Sequence, residues 1–291
     1  MVKIGIVGLG IVGSACRFGF LKNGHEVTCF DTDKSKGCSE DSHWDDLCQT
    51  NIVYVCVPTP MKEDGSCDTS IVELVVEELA SYEYKGVVAI KSTVTPGTTK
   101  GLIDKYTTEK TVRAAWIVHT LVRIEPFKDL IFVPEFLREK NPDVDMVELN
   151  RLLLVGCQDD SVYELVKECH GDFPWETMKV TPTQAELVKY FHNCFGALRV
   201  TLANEFYELA ESLDVEYNPI KRAFLKAGGL PDRYFDINRN CRGWSSICFN
   251  KDLPGLLSFA KEVGVDMPMI QATVDANKLY ESTPFSGTRE Q

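Results

Sequence analysis

The sequence predicts an α/β protein: a doubly wound parallel sheet followed by an all-helical domain built around one long helix. Three observations predict it. Strand-like and helix-like segments alternate through the first half, as in a parallel sheet with crossover helices. The turn Gly8-Leu9-Gly10-Ile11-Val12-Gly13 joins the first strand-like run to the first helix-like one. From Thr181 to about Leu213 apolar residues recur at helical spacing, with Pro182 near the start and Gly196 the lone glycine. At about 150 residues per domain, 291 residues make roughly two. The expected bounds are 1–180 for the sheet domain, 181–282 for the helical one and 283–291 for a flexible tail.

The elements follow in order. Val2–Val7 is an apolar run stopped by glycines, and Ile11–Asn23 is a helix ended by Gly24. Glu26–Asp31 is a second strand, and Asn51–Val57 is a β-rich run closed by Pro58 and Pro60. Ser70–Ala80 has helical spacing in Val72, Leu74, Val75 and Leu79. Gly86–Lys91, Leu130–Val133 and Arg151–Val155 read as further buried strands. Thr183 followed by Glu186 is expected to cap the long helix. Shorter helices are expected at about 217–226, 251–263 and 268–280, with Gly228–Ile247 as a loop.

Composition excludes several functions. The chain holds 31 basic and 43 acidic residues, a net charge of −12, with a pI near 5.0. A surface that reads phosphates along a nucleic acid needs the opposite balance. No apolar run reaches the roughly 18 residues that span a membrane, and the first residues lack the pattern of a signal peptide. A cytoplasmic protein is expected. None of the 11 cysteines forms a C-x-x-C pair, so reduced thiols are expected. The five histidines have no metal-ligand spacing, and no metal is expected.

The glycine turn carries the first functional signal. G-x-G-x-x-G between a strand and a helix is the Rossmann fingerprint for a dinucleotide. Gly8 makes the turn, Gly10 admits the pyrophosphate, and Gly13 lets helix and strand pack. The helix start at Ile11 and Val12 offers free amides to phosphates. Asp31 ends the second strand, 18 residues after Gly13, where a carboxylate accepts both ribose hydroxyls and repels a 2′-phosphate. NAD is therefore expected over NADP.

Five further segments carry motifs. Val57-Pro58-Thr59-Pro60 with Asp64-Gly65 and Asp68 reads V-x-T-P…D-G…D. Lys91-Ser92-Thr93-Val94-Thr95-Pro96-Gly97-Thr98 reads K-S-T-V-x-P-G-T, and Pro134-Glu135-Phe136-Leu137-Arg138-Glu139 reads P-E-F-L-R-E. Ala185-Glu186-Leu187-Val188-Lys189 with Asn193 reads A-E-x-x-K-x-x-x-N, and Cys248-Phe249-Asn250-Lys251-Asp252 is similar to C-F-P-K-D. In these motifs and their order, over nearly the whole chain, the sequence resembles the nucleotide-sugar dehydrogenases, the group that includes UDP-glucose 6-dehydrogenase and GDP-mannose dehydrogenase.

As chemistry, Lys189 and Asn193 share one helix face, where a cation and an amide can hold an oxyanion. Cys248 lies between a polar loop and Lys251-Asp252, a setting that activates a thiolate. The resemblance implies the rest. A sugar C6 alcohol is oxidised twice with NAD, and Cys248 forms a thiohemiacetal and then a thioester. Lys189 and Asn193 serve the oxyanions. Thr93, Glu139 and Asp252 handle water, with Glu139 the preferred base. Glu135, Phe136, Leu137, Lys251 and Arg233 bind substrate, Arg233 reaching in from a neighbouring subunit. Pro58, Thr59 and Thr93 border the cofactor, and a homodimer forms through the long helix. UDP-glucose is the first substrate expected.

The chain departs from the pattern at the loop before the cysteine. The usual G-F-G-G-S-C is Gly243-Trp244-Ser245-Ser246-Ile247-Cys248 here, and Asn250 replaces proline. The family's third domain, a second α/β unit, is also expected to be lacking. Two other readings therefore stay open: a 3-hydroxyacid or 6-phosphogluconate-type dehydrogenase, which needs Lys189 and Asn193 but not Cys248, and a non-catalytic NAD-binding relative.

Overall fold

The computed structural model describes residues 1–36, 44–106, 108–114, 117–124, 126–244, 246–280 and 284–285. Of the expected tail, 283 and 286–291 lie outside the described residues. So does Ser245.

Strands β1 (Lys3–Val7), β2 (Glu26–Phe30), β3 (Ile52–Val55) and β4 (Val87–Ile90) come first, with helices α1 (Ile11–Lys22), α2 (Trp44–Leu47) and α3 (Ser70–Ser81) between them. Helix α4 (Thr98–Tyr106) leads to an antiparallel hairpin, β5 (Thr108–Ala114) and β6 (Ile117–Ile124). Then come β7 (Asp129–Phe132), α5 (Pro142–Val147), β8 (Leu152–Gly156), α6 (Asp160–His170) and β9 (Glu176–Val180). The helical part is α7 (Pro182–Ser212), α8 (Tyr217–Gly228), α9 (Ile247–Glu262) and α10 (Pro268–Asn277), with a two-residue strand pair, β10 (Gly243–Trp244) and β11 (Pro284–Phe285).

The chain divides into two compact units. The first holds Met1–Pro60 and Asp68–Lys189, and the second Met61–Cys67 and Tyr190–Gln291.

The first unit is the Rossmann-like sheet. Its seven strands lie in the order β2-β1-β3-β4-β7-β8-β9. The first five are parallel, as the apolar runs predict. The all-parallel expectation needs one correction. Strand β8 pairs antiparallel with β7 and β9 follows β8, so the last two strands run the other way. Strand β9 escapes a pattern search because it is an edge strand exposed along most of its length. Strand order reverses around β1, which places the ligand crevice at the carboxyl ends of β1 and β3.

Apolar side chains cover both faces of this sheet. One face packs Ile4, Ile6, Tyr54 and Ala89 against α1 and α6, and the other packs Val53, Val55, Val88 and Ile90 against α3. His170 is buried in the first layer, edge-on to Phe20 with ring centroids 5.2 Å apart. Burial and the nearby charge of Lys91 depress its pKa to about 3. Only the unfolded chain then takes up a proton as the pH falls below about 6.5, so folding stability is full above that value and declines below it. Urea unfolding at pH 7 and pH 5 should show a loss of about 1.4 kcal/mol per pH unit below 6.5. His170→Gln should flatten that slope.

The second unit is helical, with a core of Tyr190, Cys194, Ala197, Trp244, Phe249 and Leu253 among others. Helix α7 has 31 residues, so it is about 45 Å long. Its start differs in detail from expectation. The capping box is Thr181 with Gln184: the Thr181 hydroxyl accepts from the Gln184 amide (3.3 Å), and the Gln184 side chain accepts from the Thr181 amide (3.0 Å). Glu186 instead accepts the amides of Gly97 (2.6 Å) and Thr99 (2.8 Å), capping α4. Helix α9 starts at Ile247, four residues before the expected bound, because the Ser246 hydroxyl accepts the Phe249 amide at 3.2 Å. Among the described residues no helix is long and apolar enough to cross a membrane.

Candidate active site

The dinucleotide turn is built as its sequence requires. Gly8 has φ +93°, and a Cβ there would stand 2.7 Å from the Cys56 carbonyl oxygen. A Cβ at Gly13 would stand 1.9 Å from the Gly8 oxygen, so no other residue fits. A Cβ built on Gly10 would meet nothing within 4 Å, so the space on that side of the helix start is open. The first bond closing α1 runs from Ser14 to Gly10, so the amides of Ile11, Val12 and Gly13 precede the helical ladder.

Asp31 is buried at the end of β2, where its carboxylate accepts the amides of Leu9 (2.6 Å) and Asp33 (2.8 Å) and meets Lys36 at 3.4 Å. Burial works to raise its pKa, but those amides and Lys36 outweigh it and hold the carboxyl below its usual range. The group is therefore an anion at neutral pH. Pro58 is exposed and Thr59 buried beyond β3, and half-buried Thr93 follows β4. The Ser92 hydroxyl donates to the Val57 carbonyl at 2.7 Å and ties those two loops together. An open helix start and an ionised carboxylate on the next strand fit the pyrophosphate and ribose of NAD. Asp31→Ala should weaken NAD binding about 10- to 100-fold, the worth of charge-assisted bonds. Titration calorimetry measures this, and unchanged affinity would contradict the role.

A second cluster of the first unit lies beyond β7. Lys189 is 4% exposed. Its ammonium donates to the Glu135 carboxylate at 2.8 Å and to the Glu135 carbonyl at 2.6 Å. The other carboxylate oxygen of Glu135 accepts the Leu137 amide at 2.6 Å, and the Phe136 ring lies 5.7 Å from the ammonium. Arg138 and Asp145 hold this loop. The guanidinium is bidentate on Asp145, at 2.9 and 2.6 Å, and the Arg138 amide donates to the same carboxylate at 2.7 Å. Burial pushes the Glu135 carboxyl up, but the charge and hydrogen bond of Lys189, the Leu137 amide and the charge of Lys91 bring it below its usual range. The stability this pair contributes is present above about pH 4.3 and is lost as the pH falls through the lower folded value. Glu139, four residues on, is exposed. The carboxylate set against Lys189 is Glu135.

In the second unit, Asp252 is 2% exposed. It accepts from the Asn193 amide at 2.6 Å and from the Lys251 ammonium at 2.6 Å. Cys248 is half-buried in the first turn of α9, the end at which a helix dipole favours negative charge. Helix α7 is unbroken from Pro182 to Ser212, so Lys189 and Asn193 lie on one of its faces. Arg233 is half-buried, and its guanidinium stacks 4.9 Å from the Tyr234 ring and donates to that hydroxyl at 3.1 Å. Two residues take roles that the sequence does not show. Asp145 is visible only as one acid among several in a short helix. Ser246 carries the Ser-x-x pattern of an N-cap inside a stretch read as loop.

A Rossmann-like sheet with this glycine turn and this strand-end carboxylate defines an NAD-binding oxidoreductase domain. Residues 41–174 match the NAD binding domain of the UDP-glucose/GDP-mannose dehydrogenase family, and residues 183–279 match its central domain. The chain belongs to that family.

Its relatives include the UDP-glucose 6-dehydrogenase AglM of Haloferax volcanii, 26% identical over 95% of this chain and 69% of that protein. The UDP-glucose 6-dehydrogenase TuaD of Bacillus subtilis is 26% identical over 96% of this chain and 63% of its own length. A UDP-glucose dehydrogenase structure from Pyrobaculum islandicum superposes with a TM-score of 0.80 at 26% identity, covering 96% of this chain and 68% of that one. The chain thus spans about two thirds of the length of these relatives.

Proposed function

We propose that this chain catalyses NAD-dependent, two-step oxidation of the C6 primary alcohol of a nucleotide sugar to the uronic acid, with UDP-glucose the first substrate. The head of α9 carries the reading: Cys248 stands in the first helical turn, and buried Asp252 follows one turn later, bonded to Asn193. A structural thiol needs no such neighbours. The altered Ser246 is compatible with the role, since it caps the helix that presents the cysteine.

When bound, NAD accepts hydride. The residues of the chain do the remaining work. Lys189 and Asn193 stabilise the oxygen of the reacting carbon as negative charge develops. The Cys248 thiolate adds to the aldehyde carbon as a thiohemiacetal, which retains the aldehyde. Loss of the second hydride leaves a thioester. Glu135, Glu139, Asp252 and Thr93 are the groups available to position the water that releases the acid and the free thiol. Glu135, ion-paired to Lys189, is the more enclosed of the two glutamates. The direct test is NADH release from the purified protein with a panel of UDP-, GDP- and TDP-sugars. A rise with UDP-glucose alone supports the full reading, and a rise with another sugar corrects the substrate. No rise with any sugar overturns it.

The reading includes a homodimer. Along the second-unit part of α7, Phe191, Phe195, Leu202, Phe206 and Leu209 are 77, 48, 40, 52 and 54% exposed, and Leu213 just past its end is 65% exposed. Their spacing of three, four and seven residues makes one apolar stripe, the seam by which two helices pack. A second copy of the chain, carrying the same stripe, fits it. Phe206→Glu with Leu209→Glu should convert the dimer to a monomer in sedimentation. A parent chain that is monomeric at micromolar concentration would refute the dimer.

A further inference from the structure

The loop in front of Cys248 is held by buried polar side chains that the proposed chemistry does not use. All of them lie in the second unit. Asn277, the last residue of α10, is 8% exposed. Its side-chain oxygen accepts the Trp244 amide at 2.9 Å, and its side-chain nitrogen donates to the Trp244 carbonyl at 3.0 Å. One side chain thus takes both backbone groups of one residue, as a paired strand residue does. Asn204 of α7 is buried; it donates to the Arg242 carbonyl at 2.9 Å and accepts from Arg242 Nε at 2.7 Å. The Trp244 indole donates to the hydroxyl of Thr201, also on α7, at 3.3 Å. Gly243 lets the loop come this close: a Cβ there would stand 3.0 Å from Asn277 Oδ1 and 3.1 Å from the Tyr280 carbonyl oxygen.

Buried polar side chains oppose folding unless they are bonded, and apolar ones would fill the same space without that demand. Once bonded, they fix a single backbone arrangement. What they fix here is the entry to α9. Trp244 stands four residues before Cys248, and its ring lies edge-on to the Phe249 ring with centroids 6.2 Å apart. Phe249 in turn presses on α7, where a Cβ at Gly196 would stand 2.7 Å from its Cζ. The chain is therefore held on both sides of the thiol, before it by Asn277 and after it by the Trp244 ring and Gly196.

We propose that Asn277 is a positioning residue for Cys248: by clamping the Trp244 backbone it fixes where α9 starts and so where the thiol stands. The proposal rests on the reading of Cys248 as the nucleophile. Asn277 acts through Trp244 and need not touch the substrate. A merely structural asparagine would instead be replaceable at a cost in stability alone.

The test uses the full-length protein with Asn277→Ala and Asn277→Leu, which remove both bonds to Trp244. Thr273→Val is the control. Thr273 lies one turn earlier on α10, is 2% exposed, and its hydroxyl bonds the Met269 carbonyl of its own helix at 2.9 Å. Each protein is alkylated with iodoacetamide over a pH series, and modification of Cys248 is followed by peptide mass spectrometry. All three substitutions should lower the melting temperature. Only the Asn277 variants should move the midpoint of Cys248 alkylation up, by about half a pH unit, as the thiol loses its fixed place at the helix start. They should also lower kcat about 10- to 100-fold while KM for the nucleotide sugar stays near its parental value. A Cys248 midpoint unmoved in an Asn277 variant that folds, or moved as far by Thr273→Val, would overturn the proposal. So would failure of both Asn277 variants to fold, which would make the residue a part of the fold alone. If the parent oxidises no nucleotide sugar while the midpoint moves with Asn277 only, the functional reading fails and the positioning of the thiol stands.

Discussion

Cys248→Ser should abolish uronic acid formation, with a loss of at least about 10⁴-fold, as expected when a covalent nucleophile is removed. The serine hydroxyl in the same helical turn has a pKa far above that of a thiol, so the helix start cannot ionise it at pH 7. NAD binding should be unchanged, because the glycine turn and Asp31 belong to the other unit. The fold should persist too, since Cys248 is half-buried and serine removes little apolar surface. Product analysis by chromatography checks the first expectation and calorimetric NAD titration the second. A variant that still makes uronate at the parental rate would place the chemistry elsewhere.

Lys189→Met should have the next largest effect, and it should act twice. It removes the cation that serves the oxyanion, worth about 10²- to 10³-fold in rate. It also leaves Glu135 as a largely enclosed carboxylate without its main partner, which costs up to about 3 kcal/mol of stability. A second substitution separates the two effects. Lys189→Met with Glu135→Leu should recover most of the stability, since no charge remains unpaired, and should recover none of the rate. Denaturant unfolding and initial-rate kinetics on the three proteins measure both quantities. Recovery of rate in the double variant would reduce Lys189 to a structural partner.

Much of this was legible in the residues. The glycine turn, Asp31 and the five parallel strands follow from apolar periodicity and punctuation, and the structure puts them where the pattern says. The long helix was equally visible, because a near-continuous stretch without glycine or proline has few alternatives. What escaped detection depended on partners distant in sequence. Nothing local says that Glu186 turns to the amides of Gly97 and Thr99, or that Thr181 and Gln184 cap the helix instead. The reversal of β8 and β9 is hidden because strand direction is set by connections, and an exposed edge strand carries little periodicity. Helix α6 was missed although its signals are present: Asp159 accepts the Ser161 amide as a cap, and Val162, Val166 and Cys169 make a buried stripe. At the site, the motifs supplied Lys189 and Glu135 as separate candidates. Their ion pair came from the loop geometry that Arg138 and Asp145 hold.

In the proposed reaction one chain removes two hydrides from one carbon and stores the intermediate on sulfur. The direct measurement is the amount of NADH formed per nucleotide sugar consumed, taken to completion with the parent protein. Two NADH should form for each sugar, with the uronic acid as sole product. One NADH per substrate, with an aldehyde or ketone as product, would contradict it and point to a single-step hydroxyacid-type dehydrogenase.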